Sequence, residues 1–450
     1  VSFLKCCETM KNKMIEVGAS YGGTYQCNNK MFMSQFTRIR YLDPNSHISG
    51  LKTEFRLPKN FTAYPNLRLG NLGVSGTATE YDRNGVISTI RHIHLYSNQT
   101  LIDSARHVNR YMSFKNRLTS NEYNKNILKF TNRSKYGYEI TSGGRVDCLR
   151  AQNAVDAVGL STNLGVVDLP DLLGVLLQLK VVDTSQMPNL RLVIEYEDDK
   201  RLYLNSDAAT DYKNLQPVLI CDEIVNPQIA AEMVKQNVNI SFQTVEHDSV
   251  QVPAVTVTGT DDGATNSVQP INKRLKGNQN KVINRCVLLK SYTDKVKRYA
   301  GNTPQGQGNY SSPVQIDEKI NFLINGRPVF DDTIEAPNVK LMVTEDAFGP
   351  LNLVPYEAQV SAGLDVNQTE ANNANREGTP GTTALIGFFS PVGFKVLSRV
   401  RDIEIQYERR IYADANGVLK KYADGLDLHL YSEVQRVLKF GPSGPVVTYL

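Results

Sequence analysis

The stretch TIRHIHLYSNQTLIDSARHVNRYMSF, Thr89 to Phe114, reads as a strand, a turn at Asn98-Gln99, a second strand and a short helical segment. EKINFLINGRPVFDD, Glu318 to Asp332, repeats the pattern. With Asn98 laid on Asn325, Ile93 falls on Ile320, Leu95 on Phe322 and Ile102 on Val329. A second pair follows in the same order. LRLVIEYEDDKR (Leu190 to Arg201) matches RDIEIQYERR (Arg401 to Arg410), with Leu192, Ile194, Tyr196 and Glu197 on Ile403, Ile405, Tyr407 and Glu408. The two offsets, 227 and 211 residues, differ, so the intervening loops differ in length. Two correspondences in one order indicate a chain built twice from one β-rich unit.

Working outward, the 450 residues suit two or three domains, and the 41% apolar share is enough for real cores. Residues 1–35 are polar and aperiodic and read as an N-terminal arm. Strand signals run from about residue 36 to 200, including the strong turn signal Asn84-Gly85. Within that span Leu164 to Val182 is the most apolar segment, broken by Pro170 and expected to turn into a helix near Asp171. Residues 201–215 are polar and read as the link between units. The second unit is expected over 216–438, opening with a strand at Gln216 to Val225 and a short helix at Pro227 to Lys235. Val238 to Val245 and Val250 to Val257 read as two strands, and LDLHLYSEVQRVL (Leu426 to Leu438) as a strand followed by a short helix. Residues 439–450 read as an extended tail. The sum is about eight strands per half with few helices and long polar loops, which suits an all-β chain of two tandem eight-stranded antiparallel sandwiches.

Signatures of chemistry are sparse. No Walker A loop, GxGxxG, HExxH or GxSxG occurs. His92 and His94 share one strand face and form a two-ligand metal candidate, beside the ordinary reading of a half-exposed polar face. Asp261-Asp262-Gly263 reads as a turn, Asp171 and Asp183 as caps, and Glu195, Glu197, Asp198 and Asp199 as a solvated strand end. Cys6, Cys7, Cys27, Cys148, Cys221 and Cys286 are scattered and read as reduced thiols. The sequence has no apolar run long enough for a membrane span, and its opening lacks a signal peptide's apolar core. The net charge of +4 does not mark a dedicated nucleic-acid binder. One basic run does stand out: Lys273, Arg274, Lys276, Lys281, Arg285, Lys290, Lys295, Lys297 and Arg298 face a single acid, Asp294. It reads as a solvated face, or as a surface for phosphates or an acidic neighbouring subunit.

The duplicated hairpin, the two closing strands with IEY and IQY, and the final SEVQRVL before a Tyr-containing tail resemble the double-jelly-roll major capsid proteins of polinton-like viruses and virophages. The resemblance covers most of the chain from about residue 36. It implies two jelly rolls side by side, a homotrimer of pseudo-hexagonal outline, and tiling of trimers into an icosahedral shell around a DNA genome. It also implies penton and minor capsid proteins as neighbours, a genome or inner layer at the inner face, assembly inside the host cell, and no catalytic residues or cofactor. Loops Thr258 to Gln279 and Leu364 to Thr383 are expected on the outside, and the N-terminal arm at the inner face. Three other readings stay open: a minor capsid or vertex protein, a carbohydrate-binding or adhesin-like β protein, and an enzyme on a cupin-like roll. The absence of Trp and of a visible signal peptide argues against the second, and six scattered histidines argue against the third.

Overall fold

The computed structural model describes residues 37–75, 85–119, 138–140, 146–148, 165–198, 213–254, 267–275, 277, 279–293, 318–350, 391–413, 420–421, 425–441 and 444–450. Alternation sets the strands. In Leu190–Tyr196 every second residue, from Leu190 to Tyr196, is buried and those between are half-buried. Apolar residues on one face then need a second sheet to cover them.

The first sandwich has strands β1 (Thr37–Leu42), β2 (Lys52–Arg56), β3 (Arg68–Leu72), β4 (Ile90–Ser97), β5 (Thr100–Arg106), β6 (Gly165–Asp168), β7 (Leu190–Tyr196) and β8 (Val218–Ile224). One sheet runs β2-β7-β4-β5 and the other β1-β8-β3-β6, all antiparallel. The second sandwich has β9 (Asn239–Val252), β10 (Ser267–Leu275), β11 (Lys281–Tyr292), β12 (Glu318–Ile324), β13 (Arg327–Pro328), β14 (Val392–Val400), β15 (Ile403–Ala413) and β16 (Leu426–Gly441). Its sheets run β10-β15-β12-β13 and β9-β16-β11-β14. The order of the first sandwich recurs strand for strand in the second, so each unit is a jelly roll and the chain is a double one. A further strand, β17 (Gly444–Tyr449), adds to β16.

Helices α1 (Val108–Thr119) and α4 (Pro337–Phe348) follow β5 and β13, the same place in each roll. Helix α2 (Gly174–Gln178) precedes β7, and α3 (Pro227–Val234) lies between the rolls. Asn226 caps α3, accepting from the amides of Gln228 and Ile229, with Pro227 in the first turn. No helix among the described residues is long and apolar enough to cross a membrane.

The matching turns have matching chemistry. Asn98 and Asn325 both adopt left-handed φ, 51° and 53°, which Asn tolerates better than most residues. The register differs from the textual alignment. Leu190 stands opposite Ser97, and Ile403 opposite Ile324, beside the two turns. The structural offset along β7 and β15 is therefore 213 residues, two more than the text suggests. A slip of two leaves the same face inward, so the alternation could not reveal it.

Four element assignments change. Val218–Ile224, expected to open the second unit, pairs with β1 and β3 and completes the first roll. Asn239–Val252 is one continuous strand. Leu426–Gly441 is one strand without a helix, because its middle is buried on both faces and loses its alternation. The tail from 444 to 449 is likewise a paired strand. The expected arm (1–35), the link (201–212 of it) and the expected outer loop Leu364 to Thr383 lie outside the described residues, whereas in the other expected loop, Thr258 to Gln279, residues 267–275 form strand β10, paired with β15.

Candidate assembly site at the junction of the rolls

The two rolls meet through unlike surfaces. The first offers β5, α1 and α2. The second offers strands β9, β11 and β16 of one sheet. Ile240, Phe242 and Leu438 of the second roll join the core cluster of the first. At Gly174, in α2, a Cβ would sit 1.7 Å from the carbonyl oxygen of Gln243 on β9, so only glycine permits this approach. Beside it the buried Asp103 carboxylate accepts from Thr244 Oγ1 at 2.6 Å and from the Val175 amide at 3.0 Å. Burial pushes its pKa up, against the pull of those hydrogen bonds. The two matching helices touch where Phe114 meets Phe348 edge to face, centroids 5.0 Å apart. Tyr111 donates to Glu433 at 3.1 Å, and Tyr431 donates to the His107 carbonyl at 3.1 Å.

Five of the six histidines gather at this junction. His92 lies edge-on to His107 at 4.8 Å, His107 is 4.5 Å from His247, and His247 stacks on His429 at 5.2 Å. His94 adjoins His92 at 6.1 Å. Burial is the main cause of lowered ring pKa values, to about 4 for His92, about 2 for His107 and about 3 for His247, with neighbouring arginines and rings adding to it. His94 is lowered by burial against the pull of Glu195. No set of three or more His, Cys, Asp or Glu among the described residues is arranged to hold a metal ion. His92 and His94 therefore belong to a row of rings.

The basic run is dispersed in space. Lys273 and Arg274 are exposed on β10, Arg274 lying 3.2 Å from Asp402. Lys281 is paired with Glu246 and lies 4.4 Å from the Tyr449 ring centre. Arg285 holds Glu433 at 2.6 Å and covers the Phe348 ring. Lys290 is fully buried and paired with Glu318. Lys276, Lys295, Lys297 and Arg298 lie outside the described residues, as do Asp261-Asp262-Gly263 and Asp199. Asp183 does cap a turn, accepting from the amides of Ser185 and Gln186. Glu197 is buried and accepts from Asn109 at 3.0 Å instead of facing water. Cys221 and Cys286 are buried free thiols, each pushed up to about 12 by burial.

The sheet of the first roll that matches the junction sheet of the second presents a different face. Leu219 and Cys221 of β8 point into the core, so the alternate residues point out. Tyr41 pairs with Ile220 and Ile39 with Asp222, placing Ile39 and Tyr41 on that outer face, 62% and 68% exposed.

Sequence reading missed Asp103, His107, Arg110, Gly174, His247 and His429. Gly174, between Leu173 and Val175 in the most apolar segment, was the one local signal. The rest acquire meaning only through partners more than a hundred residues away.

No protein-family model matches the chain, and a search of curated proteins returns no match. Solved structures do match. The PBCV-1 Vp54 crystal structure, fitted into a cryo-EM reconstruction of the virophage Sputnik, shares 11% identity at TM-score 0.54, over 96% of this chain and 100% of that one. A quasi-atomic model of the PBCV-1 virus capsid gives 9% and 0.52 over 96% and 100%. The cryo-EM structure of the Sputnik virophage gives 10% and 0.50 over 95% and 90%. At such identities the likeness speaks to the fold, and nearly the whole chain follows the double-jelly-roll course of these structures.

Proposed function

We propose that the chain is the major capsid protein of a tailless icosahedral DNA virus, acting as a homotrimeric capsomer with a pseudo-hexagonal outline. The observation that carries this is the one-way junction. A contact between unlike surfaces is heterologous, and repeating it closes a ring when the rotation allows. The first roll already covers the β9-β16-β11-β14 sheet of the second. The matching sheet of the first roll, with Ile39 and Tyr41 outward, is the surface that the second roll of the next copy would cover. Three chains supply six rolls to such a ring. The solved structures of similar fold, named for a virus capsid and a virophage, support the reading.

Assembly is then the mechanism. Trimer contacts of this kind bury more than ~2,000 Å². Weaker lateral contacts between trimers let misplaced capsomers dissociate before the shell closes. Penton and minor capsid proteins are the proposed neighbours and the virion the proposed location. The exposed Lys273 and Arg274 are proposed contacts for phosphate or for an acidic neighbour.

Light scattering on the purified chain tests this. The expected mass is three times 50.2 kDa, with six-sided particles in negative-stain images of the same peak. Ile39→Glu with Tyr41→Glu is expected to give folded monomers. A wild-type monomer at every concentration and salt would overturn the proposal.

A further inference from the structure

The histidine row crosses the junction. His92 and His94 on β4 and His107 after β5 come from the first roll; His247 on β9 and His429 on β16 come from the second. Hydrogen bonds fix the protonation of three rings. Arg110 Nη1 stands 2.5 Å from His429 Nε2, and a guanidinium can only donate. His429 Nε2 is therefore an acceptor, and its proton sits on Nδ1. That Nδ1–H donates to His247 Nε2 at 2.9 Å. His92 Nδ1 accepts the His107 amide at 3.1 Å. Each acceptor nitrogen would become a donor on protonation, facing another donor.

We propose that this row is an acid-released latch: neutral rings hold the two rolls together, and protonation parts them. The surrounding charges favour this direction. Arg91 on β4, Arg106 on β5 and Arg110 on α1 lie on the cationic side. The acids nearby are already engaged. Glu195 on β7, 3.9 Å from His94, is the exception: it favours a charged ring there, and burial outweighs it. Glu197 accepts from Asn109, Glu433 on β16 is held by Arg285, and Asp427 on β16 accepts from Thr293. Asp248 on β9 accepts the amides of Ser249 and Gly277.

The sign follows from proton uptake. The closed junction holds neutral rings, whereas an open one returns them towards the ordinary value near ~6.5. The open form therefore takes up more protons below that pH, and the closed form loses up to about tenfold in population ratio per ring per pH unit. Above about pH 6.5 the latch is fully neutral and closed. These contacts lie within one chain and are independent of the capsomer proposal.

Hydrogen exchange of the full-length protein at about pH 7.5 and about pH 5, corrected for intrinsic rates, tests the latch. Amide exchange in α1 is expected to rise about a hundredfold or more at the lower pH. His92→Gln with His247→Gln and His429→Gln keeps polar groups that do not titrate, and should leave a rise at least about tenfold smaller than that of the wild type, His94 and His107 being retained. A wild-type change below about twofold, or a variant responding like wild type, overturns the proposal. Should the triple variant not fold, exchange of the histidine ring C–H in the wild type decides. One shared midpoint coinciding with α1 opening supports the latch. Separate titrations with α1 closed throughout overturn it.

Discussion

The two rolls share a strand order and differ in what fills them. The first core is lined by Leu, Ile, Val, Phe and Ala from both sheets. The second core encloses Glu318 with Lys290 and Lys340, all essentially inaccessible to water, and Tyr407 donates to the same carboxylate at 3.1 Å. Burial alone would raise the Glu318 pKa, but the two ammonium groups outweigh it and hold it low. Burial lowers Lys290 to about 8. In the structural register the counterpart of Glu318 is the buried Ile90, which stands opposite Tyr196 as Glu318 stands opposite Arg409, and the neighbouring Arg91 sits partly exposed beside Asp198. Alternation and turns suffice to specify this topology. The chemistry of the interior is a separate choice, because a buried ion cluster can replace apolar packing when every charge is paired.

Three experiments bear on that contrast. The largest effect belongs to Glu318→Gln, which leaves two buried ammonium groups without a counter-charge. Urea titration is expected to show a loss of about 3–5 kcal/mol. Arg91→Gln, at the partly exposed ion pair of the first roll, should cost about 1 kcal/mol at most. Equal losses at the two positions would erase the distinction between the interiors. Next comes Gly174→Ala, which belongs to neither core. Its Cβ meets backbone on the other roll, so a loss of about 1–3 kcal/mol should appear, with the melting of both rolls affected. If only the first roll melted earlier, the junction would be shown not to couple them. The smallest effects concern the shared turns. Asn98→Ala and Asn325→Ala each force a left-handed alanine, at about 1 kcal/mol. Asn325 should cost somewhat more, because its side chain also accepts the Arg401 amide at 2.6 Å and donates to the Arg399 carbonyl. A reversed order in thermal melts would mean that the turns are not equivalent.

What could be read from the sequence was local. The Asn98 and Asn325 turns, the duplicated hairpin and the half-buried Leu190–Tyr196 all announce themselves within a few residues. Residues 218–224 announced a strand but not its sheet, since pairing with residues 37–42 and 68–72 is a long-range fact. The basic run showed its charge and concealed its partners. Glu246, Glu433 and Glu318 reach Lys281, Arg285 and Lys290 from 28 to 148 residues away. The histidine row was hidden for the same reason, since 182 residues separate His247 from His429.

The segment joining β8 to β9 is short and carries the capped helix α3. It is a tether. Two sandwiches joined this way experience each other at an effective concentration of roughly millimolar, whatever the dilution of the protein. Opening the junction therefore does not send the halves apart, and their re-encounter is a first-order event. A two-roll chain whose internal seam loosens in acid keeps its parts in register and can reclose when the proton concentration falls.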